Sequence, residues 1–228
     1  MNSILTDSGR AAFASYLKAR TLFMAWGTGV EASDTNQTHT DVFSGGSLSV
    51  GYTNISALSL APAAGGANYV QGVDYSVNLV TGILTAISGG IGGTSVIANF
   101  YVNPPTPLQS ATALVGEVGR RLVTVVEYCT PDDAGTIVVD GTKYTASSDP
   151  TPYLHIGVTF APSDAPSAVI KEYAIYSDGT TDPSLPGGQK YFSGGQILAL
   201  GKLVTIRNID TITRTSVASE KFDLVIPF

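Results

Sequence analysis

Two histidines, one cysteine and an adjacent pair of aspartates are the residues whose types could carry chemistry in this chain. His39 and His155 lie far apart, and no ligand spacing surrounds either. Structural zinc asks for four N or S ligands at short, recognisable intervals, so no metal site is expected. Asp132-Asp133 could supply the two carboxylates of glycoside hydrolysis. The pair follows Pro131 in a loop-like stretch, however, and reads more simply as a solvated turn. Cys129 stands in a run of β-branched residues and reads as a small hydrophobe buried in a strand, with a reactive thiol as the alternative. A single cysteine forms no intrachain disulfide. The glycines of Gly89-Gly90-Ile91-Gly92-Gly93 open no helix and lack the dinucleotide fingerprint, so they read as a turn. No Gly-x-Ser-x-Gly elbow is present. The expectation is therefore no catalytic, cofactor-binding or metal-binding residue, no cofactor, and no enzyme.

Composition narrows the classes further. Of 228 residues, 43% are hydrophobic and only 13% charged, against about 25% charged in an average soluble domain. One cause of so uncharged a surface is that much of it is covered by neighbours, because interface cores are depleted in charge. The net charge of −6 disfavours nucleic-acid binding, which needs clustered cations, and the densest basic pair is Arg120-Arg121. No apolar run approaches the roughly 20 residues of a membrane span. The first residues carry Asp7, Arg10 and Lys18 rather than a signal core, which points to a protein made in the cytoplasm. Eleven tyrosines could face sugars, but packing in cores and interfaces is the more ordinary use.

The elements that must position these residues are mostly strands. Val169–Gly179 alternates and then turns wholly apolar at Ala174-Ile175-Tyr176, as a strand entering a core does, and Ser177-Asp178-Gly179 offers a turn. One helix is expected, capped by Thr6 or Asp7, with Ala12, Phe13, Tyr16 and Leu17 as its apolar stripe. Leu22–Trp26 reads as a short buried strand and Glu31–Asp41 as a loop. Between Asp41 and Glu117 the only charged residue is Asp74, and short strands alternate with turns: Tyr69–Val77, Ile83–Ile87 and Val96–Val102. Ala111–Val118 reads as a short helix or loop, and Arg120–Cys129 as one long strand. Asp140-Gly141 is a two-residue hairpin signal. Tyr153–Phe160, Leu198–Arg207 and Phe222–Phe228 are further strands, with Asn208–Glu220 a polar span. The fold class is thus mainly β with one N-terminal helix (α+β). Residues 1–42 and 108–228 form an antiparallel sheet or sandwich host domain, and residues 43–107 an inserted small all-β module.

Three stretches resemble one family. Leu5-Thr6-Asp7-Ser8-Gly9-Arg10-Ala11-Ala12, with its helix and the strand ending at Gly27-Thr28-Gly29, looks like the opening of phage tail-collar and tail-fibre attachment domains. Leu114-Val115-Gly116-Glu117-Val118-Gly119-Arg120-Arg121 looks like the next element of that family, and Ile170–Gly179 resembles the third. The resemblance implies a structural component of a tailed-phage virion, in the tail or baseplate, that mediates attachment of fibres or neighbouring tail proteins. It implies a homo-oligomer, with a trimer favoured, and brings no catalytic residues. Glu117, Arg120, Arg121 and Glu172 are the charged residues within these stretches. They are the structural or interface candidates, expected to pair internally or across a subunit boundary. The alternatives are a carbohydrate- or receptor-binding tail protein, with host glycan as partner, and a neck or capsid decoration protein.

Overall fold

The computed structural model describes residues 4–30 and 36–228. Along the chain come α1 (Asp7–Lys18), β1 (Leu22–Gly27), β2 (Asn36–Val42), β3 (Ser47–Ser49), β4 (Ile55–Pro62), β5 (Tyr75–Asn78), β6 (Ile83–Ala86) and β7 (Ser95–Val102). They are followed by β8 (Glu117–Leu122), β9 (Val125–Pro131), β10 (Ile137–Val139), β11 (Thr142–Ser147), β12 (Tyr153–Phe160) and β13 (Val169–Ser177). The last are β14 (Thr180–Thr181), β15 (Tyr191–Ser193), β16 (Ile197–Ala199), β17 (Lys202–Thr213) and β18 (Glu220–Pro227). Two compact units result: Met1–Thr28 with Leu108–Arg207 and Ile212–Phe228, and Gly29–Pro107 with Asn208–Thr211.

The first unit is a sandwich of two sheets, ordered β15-β8-β1-β13-β17 and β10-β11-β9-β12-β18. Every strand pairing whose register is resolved in them is antiparallel. The sheets meet through aromatic side chains. Trp26 of β1 stacks on Phe160 of β12, with ring centroids 3.6 Å apart and planes 14° from parallel. Phe222 of β18 meets both rings edge-on at 6.3 and 5.8 Å, and Tyr173 of β13 closes on Phe222 at 5.4 Å. Alternation along β12 sends Leu154, Ile156, Val158 and Phe160 into this core and His155, Gly157 and Thr159 to the other face. β1 is buried along its whole length, as its unbroken apolar run requires of a strand covered on both sides. Asp140-Gly141 forms the two-residue turn between β10 and β11, both residues at positive φ (50° and 79°), as the sequence predicts.

Several expectations are corrected. The run Arg120–Cys129 is not one strand: β8 belongs to one sheet and β9 to the other, and the chain crosses the sandwich at Val123-Thr124. Continuous β-branched sequence carries no mark of such a corner. The Leu198–Arg207 run breaks at Leu200-Gly201, and β17 then continues through Asn208–Thr213, which reads as polar in sequence. Tyr69–Asp74 is turn rather than strand, and β5 starts at Tyr75. Ala111–Gly116 is irregular and leads directly into β8. Of the expected loop Glu31–Asp41, residues 31–35 lie outside the described residues, while Asn36–Val42 is a strand paired to β7, so His39 sits in a strand. Thr6 caps α1, its Oγ1 accepting from the Gly9 amide at 3.2 Å. The residues α1 buries are Ala14 and Leu17 rather than the whole apolar stripe; Phe13 and Tyr16 stay 54% and 58% exposed. At the Ser177-Asp178-Gly179 turn the left-handed residue is Asp178 (φ 57°) rather than the glycine.

The second unit has two three-stranded sheets, β2-β7-β4 and β3-β6-β5. Ile55, Leu60, Tyr75, Leu84, Val96 and Phe100 fill its core. On β3-β6-β5 the opposite face is made of Ser47, Ser49, Ser76, Asn78, Ile83 and Thr85, all exposed and all uncharged.

The aromatic stack should dominate the stability of the first unit. Phe160→Ala is expected to cost about 3–5 kcal/mol, read as a lower urea midpoint with unchanged slope. A midpoint within error of wild type would show that the stack does not hold the sheets together.

Candidate functional site

The four charged candidates converge around β8 and β13. Arg120 points into the apolar side of its sheet, beside Ala25, Ala174 and Tyr176, with its side chain 1% exposed. An enclosed guanidinium must be met by acceptors. Glu117, three residues earlier on β8, meets it with both oxygens, Oε1 at 2.7 Å from Nε and Oε2 at 2.8 Å from Nη2. Nη1 donates to the Leu200 carbonyl at 2.7 Å, and the Tyr176 ring lies 4.3 Å below the guanidinium carbon. This bidentate geometry is the strong form of an ion pair.

Glu172 is wholly buried in β13. Its carboxylate accepts from the amides of Val115 at 3.2 Å and Gly116 at 3.0 Å, fixing the segment that leads into β8. The neighbouring Tyr176 hydroxyl accepts from the Leu114 amide at 3.0 Å. Position 27 has to be glycine for this arrangement, because a Cβ there would stand 2.5 Å from Glu172 Oε1 and 2.8 Å from the Gly116 carbonyl. Arg121 points the other way along the strand's alternation and pairs with Asp164, which also accepts from the Ala161 amide at 2.8 Å.

The other residues singled out from sequence are placed separately. Cys129 is buried in β9, and burial with the nearby Glu127 charge pushes its thiol up to about 11, so it is a packed side chain at neutral pH. Asp132 holds a turn, accepting from Thr145 Oγ1 at 2.7 Å and the Ala134 amide at 2.9 Å, and these bonds keep its carboxyl below the ordinary range. His39 Nε2 lies 3.6 Å from Asp41.

His155 sits in a constellation that sequence reasoning missed. Its Nδ1 is 2.8 Å from Glu127 on β9 and its Nε2 2.9 Å from Asp223 on β18, so one ring joins three adjacent strands. Lys221 adds a contact to Asp223 at 2.8 Å. Alternation in Tyr153–Phe160 could have put His155 on the outer face, but nothing local names partners so distant in sequence. Arg214 was also missed. It is 2% exposed and sits over the Trp26 ring at 5.1 Å, with Nη2 donating to the Ala161 carbonyl at 2.8 Å. The two nitrogens of His155 face opposite carboxylates rather than a shared point, and the Arg120 and Glu172 groups are engaged by backbone and neighbours. Both sets of contacts link neighbouring segments of the sheets.

Removing one partner of the enclosed pair should be costly. Arg120→Met is expected to destabilise by about 3–5 kcal/mol, since it leaves Glu117 without its cation. A loss well under that in urea unfolding would mean that the pair does not hold β8. Burial raises the Asp223 carboxyl, but hydrogen bonds and charge from Lys221 and His155 outweigh it and the net shift is downward. A depressed folded value stabilises fully above the unfolded range and is lost as pH falls through the folded value. Asp223→Asn should therefore flatten the acid limb of the stability curve below about pH 4 and leave its shape at neutral pH unchanged. An acid limb as steep as wild type would contradict this.

A family model described as baseplate wedge 3 tail fiber network component matches residues 90–228. A comparison with curated proteins finds no match. The matched span runs from β7 to β18 and includes Glu117, Arg120, Arg121 and Glu172 with every partner described for them. It covers more than half of the chain, and on that extent the chain belongs to the baseplate wedge 3 tail fiber network component family, a phage baseplate and tail-fibre family.

Proposed function

We propose that this protein is a non-enzymatic structural subunit of a tailed-phage baseplate. It joins copies of itself, with a trimer favoured, to neighbouring tail or fibre proteins, and residues 43–107, within the second unit, are the inserted module that makes such contacts. The observation that carries this reading is the near absence of charge in the stretch 43–107, which makes up most of the second unit. Between residues 43 and 107 the single charged side chain is Asp74, whose oxygens accept from the Val70 amide at 2.8 Å and the Ser88 hydroxyl at 3.4 Å. In the same stretch Val70, Val73, Val80, Ile83 and Ile87 are 43–71% exposed. Apolar side chains gathered on one small module, free of charges that a partner would have to desolvate, are what a contact surface requires. Synthesis in the host cytoplasm and incorporation into the virion tail follow from this role.

Phage carrying the chain without residues 43–107 tests the reading. Expected are normal levels of soluble protein, because the first unit has its own core, and tails that lack fibres or complete baseplates in electron micrographs. Complete, infective tails at wild-type yield would show that the module is dispensable for assembly. Binding of host polysaccharide by the same module on a glycan array, with assembly intact, would favour receptor recognition instead.

A further inference from the structure

We propose that His155 is held in the folded chain as the doubly protonated imidazolium, and that this proton makes the attachment of β18 to its sheet pH-dependent. The inference is independent of the assembly role above. His155 lies within β12 with its side chain 7% exposed. Its Nδ1 is 2.8 Å from Glu127 Oε1 and its Nε2 2.9 Å from Asp223 Oδ1. An ionised carboxylate only accepts hydrogen bonds, so both ring nitrogens have to donate, and only the imidazolium can do that. A neutral ring would turn a lone pair toward one of the two carboxylates. Burial raises the Asp223 carboxyl, yet Lys221 and His155 bring it below the ordinary range, so it is ionised at neutral pH. Gly157 leaves room for the contact to β18. It stands opposite Asp223 in the register, and a Cβ there would lie 3.1 Å from Asp223 Oδ1 and 3.2 Å from Val125 Cβ.

Among the described residues, the charged and titratable groups on the ring's side of the sheet come from β9, β18 and β12 itself. β9 presents Glu127 and Cys129, whose thiol, pushed up to about 11 by burial and by Glu127, is neutral. β18 presents Asp223, with Lys221 2.8 Å from its other oxygen. Tyr153 shares the face by alternation along β12. Other charges lie elsewhere. Lys18 of α1 stands over Tyr128, which is opposite Leu154 in the register and so on the core side. Arg10 of α1 reaches the Phe228 carbonyl past the end of β18, and Glu220 turns to the buried Arg214. Glu117, Arg120 and Arg121 belong to β8 in the facing sheet. With the imidazolium, the cluster of Glu127, His155, Lys221 and Asp223 is neutral; without its proton the cluster keeps one uncompensated negative charge. β18 ends its sheet, with β12 as its hydrogen-bonded neighbour, and its Phe222 packs on Trp26, Phe160 and Tyr173. The ring therefore ties this outer strand through β12 to β9. A proton that the folded ring holds and releases as pH rises gives stability that is present at neutral pH and lost on the alkaline side. That is the opposite sense to the contribution of Asp223.

The chain has two histidines, so the signal of each can be assigned with one variant. NMR of the full chain labelled with nitrogen-15 histidine, with His39→Asn for assignment, reads the ring directly. Expected at about pH 7 is protonation of both His155 nitrogens; a neutral ring with one protonated nitrogen would overturn the proposal. The consequence for β18 is read from urea midpoints between about pH 7 and about pH 9, a range below the ordinary titration of tyrosine and lysine. The midpoint of the wild type and of His39→Asn should fall with rising pH. Glu127→Gln should lose most of that fall, because a glutamine amide can donate to the ring and no longer requires the proton. Glu127 is partly exposed, so this variant folds even where His155→Gln does not. A fall as steep in Glu127→Gln as in wild type, or no fall in wild type, would also overturn the proposal.

Discussion

A guanidinium keeps its charge at any pH a folded protein meets, so an enclosed one dictates what surrounds it. Arg120 is enclosed, and its demands are met by Glu117 on its own strand and tie β8 to two other places, the Leu200 carbonyl between β16 and β17 and the Tyr176 ring on β13. Glu172 makes the same kind of demand from β13 and draws in the Val115 and Gly116 amides, which is possible because Gly27 leaves the room. These bonds tie β13 and the segment 199–201 to β8 and the chain that leads into it. They also have a consequence for the surface. Arg120, His155, Asp164, Lys171, Glu172 and Arg214 are all buried, which removes charge from the surface of a chain only 13% charged. A surface so depleted is poorly suited to free solution and well suited to contact with neighbours.

The sequence made the strands legible wherever one face alone is buried. Tyr153–Phe160 and the Asp140-Gly141 hairpin could be placed because alternation and turn chemistry are local signals. The crossing at Val123-Thr124 was hidden because β-branched residues suit both sheets equally well. The polar stretch Asn36–Val42 was hidden because the partner strand β7 supplies the apolar side of that pairing. Charged residues could be singled out because they fall within the stretches that resemble the family, but Asp164, Glu127 and Asp223 come from distant segments and could not be matched to Arg121 or His155 by spacing. The helix was legible as a helix. Which side it buries was not, because its apolar stripe is wider than the core it covers, and Ala14 and Leu17 alone satisfy that core.

Apolar side chains face solvent in both units, among them Val70, Val73, Val80, Ile83 and Ile87 in the second and Leu5, Phe13 and Tyr16 along α1 in the first. They fit a subunit whose exposed parts become buried as an assembly grows, which is the role proposed for this member of a baseplate family. Quantitative mass spectrometry of purified, fractionated virions tests that role most directly. Presence in the tail fraction at a fixed ratio to the other baseplate proteins, in a whole-number multiple of the tail symmetry, is the expected result. Absence from purified virions, despite abundant protein in infected cells, would contradict a structural role in the baseplate.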